Sequence, residues 1–421
     1  MPGGQLEVVF RVVSLSGGTY FATLDVPQQK VSHMAVQMNL RGDTVVLAVE
    51  EAASRFQGCL LPDGRHLSGI WQQPGLRVPL TLEYAPAPVP TAPGTRLTPP
   101  YREEEVQFTN VAGQLHLAGQ LTVPAGPGPF PAVVLLSDTG LQDRDGTLGP
   151  YKLLGALADY LTRRGVAVLR LDDRGAGLSG GAPAESLAQR VADAQAGMNF
   201  LRTRPEVDLS RIGLIGHGEG GNVALQAATL PLPPAFVLTL AAPGLPGTEL
   251  VVRQQATTLR ALGATVEQVH RTSQRQQAML DIIRQTSDQT QAQAIVATML
   301  RQTYPDLDAA TAATSAADLT SATYRNFLLF NPLTNLADVK CPVLLLNGQA
   351  DTSVEADANL PLLVKALKNS RFVSSIRLPG VNHLFQAKPT DWPLVNGQRH
   401  EIFSPQAQEA MRAWLMAQPP H

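Results

Sequence analysis

The chain has 421 residues, 44% of them hydrophobic, with 33 basic and 35 acidic side chains and a formal net charge of −2. That hydrophobic share sustains a large core and excludes a disordered chain, and the charge balance excludes a protein drawn electrostatically to nucleic acid or an anionic membrane. Only 16% of the residues are charged, and Gln, Thr and Ser fill the polar quota instead; the length suggests roughly two to three domains. Two cysteines, Cys59 and Cys341, exclude a disulfide framework or a Cys-based zinc module and read as small buried residues. No apolar run approaches the ~18 residues of a membrane span. Met1 to Gly4 lead almost directly into a strand-like run, with no charged region followed by an apolar one. No signal peptide is therefore expected in this sequence, although an exported chain with its leader trimmed would read the same way.

Residues 5 to about 84 read as short strands, among them Leu6–Val13, Tyr20–Val26, Thr44–Val49 and Val78–Leu82. The turns between them carry glycine at Ser16-Gly17-Gly18, Arg41-Gly42-Asp43 and Asp63-Gly64, the last a good hairpin signal. This spacing predicts a small antiparallel all-β domain. Its isolated histidines, His33 and His66, read as exposed or structural. Residues 85–100 are dense in proline, which makes a stiff extended linker and a domain boundary.

Beyond the linker the period changes. Paired strands at Val106–Thr109 and Gln114–Val123 precede the buried run Ala132–Leu136. Further apolar strands follow at Val166–Leu171, Ile212–Ile215, Phe236–Leu240, Pro342–Leu346 and Phe372–Leu378. Helical stretches separate them at Leu148–Arg164, Ala184–Arg202, Glu219–Leu230 and Ala356–Lys368. That alternation predicts a mostly parallel sheet with helices on both faces, whose ligands bind beyond the carboxyl ends of the strands. Residues 247–326 interrupt it with four helical stretches, Thr248–Leu262, Thr265–Thr286, Asp288–Thr303 and Asp306–Phe327. An insertion that long is no mere connection, and it is expected to be a helical cap over the carboxyl edge of the sheet. The strand-and-helix core is then 101–246 and 327–421.

The segment Gly216-His217-Gly218-Glu219-Gly220-Gly221 fits two patterns. As G-x-G-x-x-G it would open a dinucleotide site, but the acidic residue required about 20 positions on is missing. As the G-x-S-x-G nucleophile elbow it keeps Gly216, His217, Glu219 and Gly220, with Gly218 at the nucleophile position. An elbow calls for an acid and then a histidine, each after a later core strand. Asp351 follows the strand at 343–346 and His383 follows the strand at 375–378. The oxyanion hole would combine the backbone N–H groups of Glu219 and of Thr139, with Asp138 a close rival for the second. Asp143, Arg144 and Asp145 read as an ion-paired loop scaffold rather than a metal site.

With these residues in hand, 102–418 resembles the α/β-hydrolase fold. More narrowly it resembles bacterial serine hydrolases of the dienelactone-hydrolase and acylaminoacyl-peptidase-like group. Those proteins carry a loop similar to Ser-Gly-Ser-Gly-Pro-Gln-Asp-Arg-Asp, here Ser137 to Asp145. They also carry Asp-x-Arg-Gly-x-Gly-x-Ser, here Asp172 to Ser179, and Gly-His-Ser-Glu-Gly-Gly. Some have a similar β-rich N-terminal domain, often behind an export signal. The resemblance implies hydrolysis of a small-molecule carboxylic ester through Ser-His-Asp chemistry, with no metal and no organic cofactor. It leaves the natural substrate, the acyl-chain length and the oligomeric state open. The alternatives are an amidase or peptidase, a natural pseudoenzyme binding a ligand under the cap, and a dinucleotide-binding oxidoreductase.

Two departures stand out: Asp138 where those proteins have glycine, and Gly218 where they have serine. Without the serine, turnover of an ester by such a site falls by about 10⁶. Gly218 then marks an engineered inactive variant, a pseudoenzyme, or chemistry in which His383 activates water directly. The otherwise intact constellation favours the first.

Overall fold

The computed structural model describes residues 8–14, 20–26, 31–41, 43–49, 52–84, 99–304, 306–395 and 398–417. The turn at Ser16-Gly17-Gly18, Gly42, the His33 side chain and the proline-dense stretch 85–98 lie outside the described residues. The chain divides into two compact units, Met1–Thr98 and Pro99–His421.

The first unit is one seven-stranded antiparallel sheet: β1 (Val9–Ser14), β2 (Tyr20–Val26), β3 (Val31–Arg41), β4 (Thr44–Val49), β5 (Ser54–Leu60), β6 (His66–Gln73) and β7 (Leu76–Glu83), each paired with the next. Alternation along β4 and β5 buries Val45, Leu47, Val49 and Phe56 against Trp71 on one face. Asp63-Gly64 lies in the β5–β6 turn with Gly64 at φ +65°. His66 is half-exposed and bonds Asp63 at 2.7 Å. Cys59 and Cys341 are free thiols; neither is fully buried, Cys59 being exposed because it falls on the open face of β5 and Cys341 only partly buried at the edge of the core.

The second unit is an eight-stranded sheet. Its strands are β8 (Tyr101–Asn110), β9 (Leu115–Pro124) and β10 (Phe130–Leu136), then, after a two-residue hairpin β11 (Thr147–Leu148) and β12 (Tyr151–Lys152), β13 (Ala167–Leu171), β14 (Val207–His217), β15 (Val237–Leu240), β16 (Val343–Gly348) and β17 (Val373–Leu378). The order is β17-β16-β15-β14-β10-β13-β9-β8, with the six strands from β17 to β13 parallel and β9 and β8 antiparallel at one edge. Both faces are covered. Helices α1 (Leu153–Thr162) and α10 (Pro405–Met416) pack on one, while α2 (Leu187–Arg202), α3 (Glu219–Ala227) and α9 (Ala356–Ala366) pack on the other. The central strands read as continuous apolar runs because both of their faces are buried.

Between β15 and β16 the chain builds α4 (Gly247–Ala261), α5 (Val266–Gln285), α6 (Gln289–Thr303), α7 (Ala309–Leu319) and α8 (Ala322–Leu329) around a small core of Leu280, Ile283, Val296, Ala316 and Leu328. The stretch 306–327, expected as one helix, is two. Its break is set at Ser321, whose hydroxyl accepts the Tyr324 N–H and starts a new helix, as a good N-cap does. Among the described residues no helix is long and apolar enough to cross a membrane.

The register aligns the functional ends. Leu136 pairs with Gly216, His217 with Leu240, Leu240 with Leu346, and Gly348 with Leu378. The loops after β10, β14, β16 and β17 therefore emerge side by side.

Candidate active site

The turn from β14 into α3 is closed by backbone proximity. A Cβ at Gly216 would lie 2.0 Å from the Gly220 carbonyl oxygen, and one at Gly220 would lie 2.3 Å from that of Ser137. Both positions therefore require glycine, for steric rather than ligand-binding reasons. The apex, Gly218, has φ +51° and ψ −122°, a conformation that strains any residue with a side chain by ~1–3 kcal/mol.

Three of the residues singled out in the sequence meet at this apex. His383 Nδ1 donates to Asp351 Oδ2 at 2.8 Å. The other oxygen of Asp351 accepts the N–H groups of Ser353 and Val354 at 2.8 and 2.7 Å, so one carboxylate both caps its loop and orients the imidazole. Asp351 is fully buried at its side chain, whereas His383 remains 18% exposed and accessible to a small molecule. His217, from the elbow, donates through Nε2 to the His383 carbonyl at 2.8 Å and packs its ring against that of His383, with centroids 4.9 Å apart. Burial holds the His217 pKa below its ordinary value, so it serves as a neutral donor.

A fourth residue completes the cluster. Asp138, from the loop after β10, accepts the Glu219 N–H on Oδ1 at 2.8 Å and receives His383 Nε2 on Oδ2 at 3.0 Å. The Thr139 hydroxyl reaches Oδ1 at 3.3 Å from the exposed shoulder of the loop. The N–H expected to bind an oxyanion thus binds an aspartate carboxylate. A Cβ at residue 218 would lie 1.8 Å from Asp138 Oδ1, so this carboxylate stands where a serine side chain would project.

The electrostatics follow from that arrangement. Burial would lower the His383 pKa, but hydrogen bonds to Asp138 and Asp351 push it up to about 10. Burial would raise that of Asp138, but the His383 hydrogen bond and the nearby histidines hold it well below the usual carboxylate range. Near neutral pH these shifts favour a His383 imidazolium paired with the Asp138 carboxylate. Ligand atoms of Asp138, His217 and His383 lie within 4.8 Å of one another. The His217 and His383 ring nitrogens that carry these bonds are already engaged, and the alternating charges account for the cluster without a cation.

Arg190 of α2, for which the sequence offered no signal, locks the loop to the elbow. It pairs with Glu219 at 2.8 Å and donates to the carbonyl oxygens of Ser137 and Asp138 at 2.6 and 3.0 Å. Farther along the loop, Arg144 forks onto Asp172 at 3.0 and 2.7 Å, and Asp145 pairs with Lys152 at 2.8 Å. Among the described residues Asp143 is in no ion pair; it accepts the Thr147 N–H and hydroxyl at 3.0 and 2.7 Å. A cavity of about 280 Å³ lined by Pro131, Val166, Ser210 and Phe236 lies at the amino ends of the strands, away from this cluster.

A mostly parallel sheet covered on both faces, with an elbow, an acid and a histidine converging at its carboxyl edge, defines an α/β-hydrolase. The family model described as Hydrolase_4, serine aminopeptidase, S33, matches residues 146–384, and the chain belongs to that family. It is 33% identical over 149 residues to Esterase EstD of Thermotoga maritima, which covers 35% of each chain. It is 32% identical over 143 residues to acyl-coenzyme A thioesterase 1 of Rattus norvegicus, covering 33% of this chain and 27% of that one. The matches thus span about a third of the length of these curated relatives. Among solved structures, the esterase Pf2001 of Pyrococcus furiosus is 16% identical with a TM-score of 0.46, covering 68% of this chain and 84% of that one.

Proposed function

We propose that this chain is built on an ester-hydrolase site whose proton-handling dyad is His383–Asp351, and that it does not run acyl-serine chemistry as it stands. The observation that carries the reading is the Asp351–His383 bond at 2.8 Å, with the other edge of the imidazole, Nε2, turned to the elbow, where Asp138 engages it at 3.0 Å. In a form with serine at 218, His383 would take the hydroxyl proton and return it to the leaving group, and Asp351 would hold the imidazole and stabilise its cation. Glu219 and Thr139 would supply the oxyanion hole. In this chain the hydroxyl is missing, Asp138 fills the hole, and His383 is already protonated at neutral pH.

The helices of 247–326 act as the cap in this reading. Its support is that α4 holds the loop beyond Asp351: Arg253 pairs with Glu355 at 2.6 Å and Gln254 reaches the Ser353 carbonyl at 2.9 Å. The domain reading stays as the sequence draws it, with boundaries at 1–84, 85–100 and the split core around 247–326. The glycines of the elbow serve its closure, so a dinucleotide site is not proposed.

The test is turnover of p-nitrophenyl esters from acetate to decanoate by the Asp138→Gly/Gly218→Ser double variant. The expected result is hydrolysis several orders of magnitude above the unaltered chain, with an optimum chain length that sizes the pocket. A folded double variant that stays inert on the whole panel overturns the dyad assignment.

A further inference from the structure

The two positions at which this chain departs from its resemblance, 138 and 218, lie on different loops and meet at one point. The serine position has lost its side chain, and a carboxylate from the neighbouring loop occupies the vacated volume, its Oδ1 1.8 Å from where the serine Cβ would be. Each oxygen is separately held, Oδ1 by the Glu219 N–H and Oδ2 by His383. The Asp138 side chain is still 21% exposed, so a small molecule can reach it. The carbonyl oxygen of Asp138 is fixed by Arg190 at 3.0 Å, which limits how far the loop can carry the carboxylate away.

We propose that Asp138 is the nucleophile of this chain, transferred from the elbow to the adjacent loop, and that its substrate is an alkyl carbon bearing a leaving group that departs as a stable anion, such as a primary alkyl halide. The inference rests on the reading of His383–Asp351 as the proton-handling dyad. Geometry selects the substrate class. Acyl transfer needs the Glu219 N–H for the substrate's oxygen, and here that N–H is occupied by the nucleophile itself. Displacement at an alkyl carbon forms no oxyanion, so an occupied hole is no obstacle to it.

In the first step Oδ2 attacks the carbon, the carbon–halogen bond breaks, and the halide leaves with the electron pair, forming an alkyl ester on Asp138. Esterification removes one of the two negative charges that hold the imidazolium, and His383 releases its proton to solvent. In the second step neutral His383 takes a proton from water as the oxygen attacks Cγ. The oxyanion develops on Oδ1, already against the Glu219 N–H. Collapse breaks the Cγ–Oδ2 bond, and the alcohol departs with the proton held by His383. The resulting Asp138 acid returns its proton to His383. The sum is alkyl halide and water to alcohol, halide and a proton. The oxygen of the alcohol comes from Asp138, and the water oxygen enters the carboxylate.

The experiment incubates the full chain and its His383→Gln variant with primary bromoalkanes of two to six carbons, followed by peptide mass spectrometry. The variant should accumulate the alkyl mass on the peptide bearing Asp138, and Asp138→Asn should show none. The unaltered chain, taken through one turnover in ¹⁸O-water, should carry the label in Asp138 and release unlabelled alcohol. Label in the alcohol, or neither an adduct nor label at Asp138 across the series, overturns the proposal. The ester panel on the double variant separates the two failures. An active double variant with no adduct leaves the dyad standing and removes the Asp138 nucleophile, whereas an inert double variant removes the dyad beneath both.

Discussion

At the scale of single residues, the pair Asp138 and Gly218 decides how the site behaves. Gly218→Ser brings a side chain into a strained conformation and onto an occupied position. It is expected to lower stability by at least the ~1–3 kcal/mol of the backbone strain, read as a lower Tm. Adding Asp138→Gly should recover the part that comes from the collision. An unchanged Tm in the single variant would contradict the geometry. The imidazolium makes a second prediction. The folded pKa of His383 is raised from 6.5 to about 10, so its stabilisation is complete below about pH 6.5 and is lost as pH rises through about 10. Thermal melts should show Tm falling across that window, and Asp138→Asn should flatten the fall. The depressed carboxylate of Asp138 acts in the opposite direction, its contribution being present above about pH 4 and lost on acidification. Asp351 was legible because an acid after a core strand is a positional signal. The partnership of Asp138 was not, because it joins residues 81 and 245 positions apart through hydrogen bonds that no local pattern encodes.

At the scale of elements, the elbow, the loop after β10 and the start of α3 form one mechanical unit. Gly220→Ala would place a methyl 2.3 Å from the Ser137 carbonyl. Overpacking of this kind costs about 1–3 kcal/mol, and here backbone must move, so the loss should fall at or above the upper end when measured by chemical denaturation. Arg190→Ala removes the clamp on the Ser137 and Asp138 carbonyls and leaves Glu219 without its cation. A stability loss of about 1–3 kcal/mol is expected, and with it a slower alkylation of Asp138, since the carboxylate is then less well placed. A loss of stability with unchanged alkylation would show that Arg190 has no positioning role. Arg190 escaped the sequence reading because a charged residue on a partly exposed helix looks like any solvated one. The break between α7 and α8 escaped for a related reason: an alanine-rich run through 309–318 promotes helix on either side, and only the hydroxyl of Ser321 marks the restart.

At the scale of the whole molecule, the α/β unit was legible because strands buried on both faces read as unbroken apolar runs, as in Ala132–Leu136 and Val343–Leu346. The N-terminal sheet was less so. β3 alternates apolar and polar residues from Val36 to Arg41 but runs Met34-Ala35-Val36 without alternation before that, and β6 is interrupted by Ser68-Gly69 followed by the adjacent apolar pair Ile70-Trp71, so neither shows along its whole length the alternation of β4. The chemistry converges at one edge because the register sets four loops side by side, and it is there that the departures at 138 and 218 meet. The measurement that tests this arrangement most directly is an NMR titration of the His383 imidazole in the unaltered chain and in Asp138→Asn. The account predicts an imidazolium that persists through neutral pH and titrates near 10 in the unaltered chain, and a marked fall in that pKa once Asp138 loses its charge. A titration near 6.5, unmoved by the substitution, would show that the carboxylate does not reach His383 and would contradict the account at its centre.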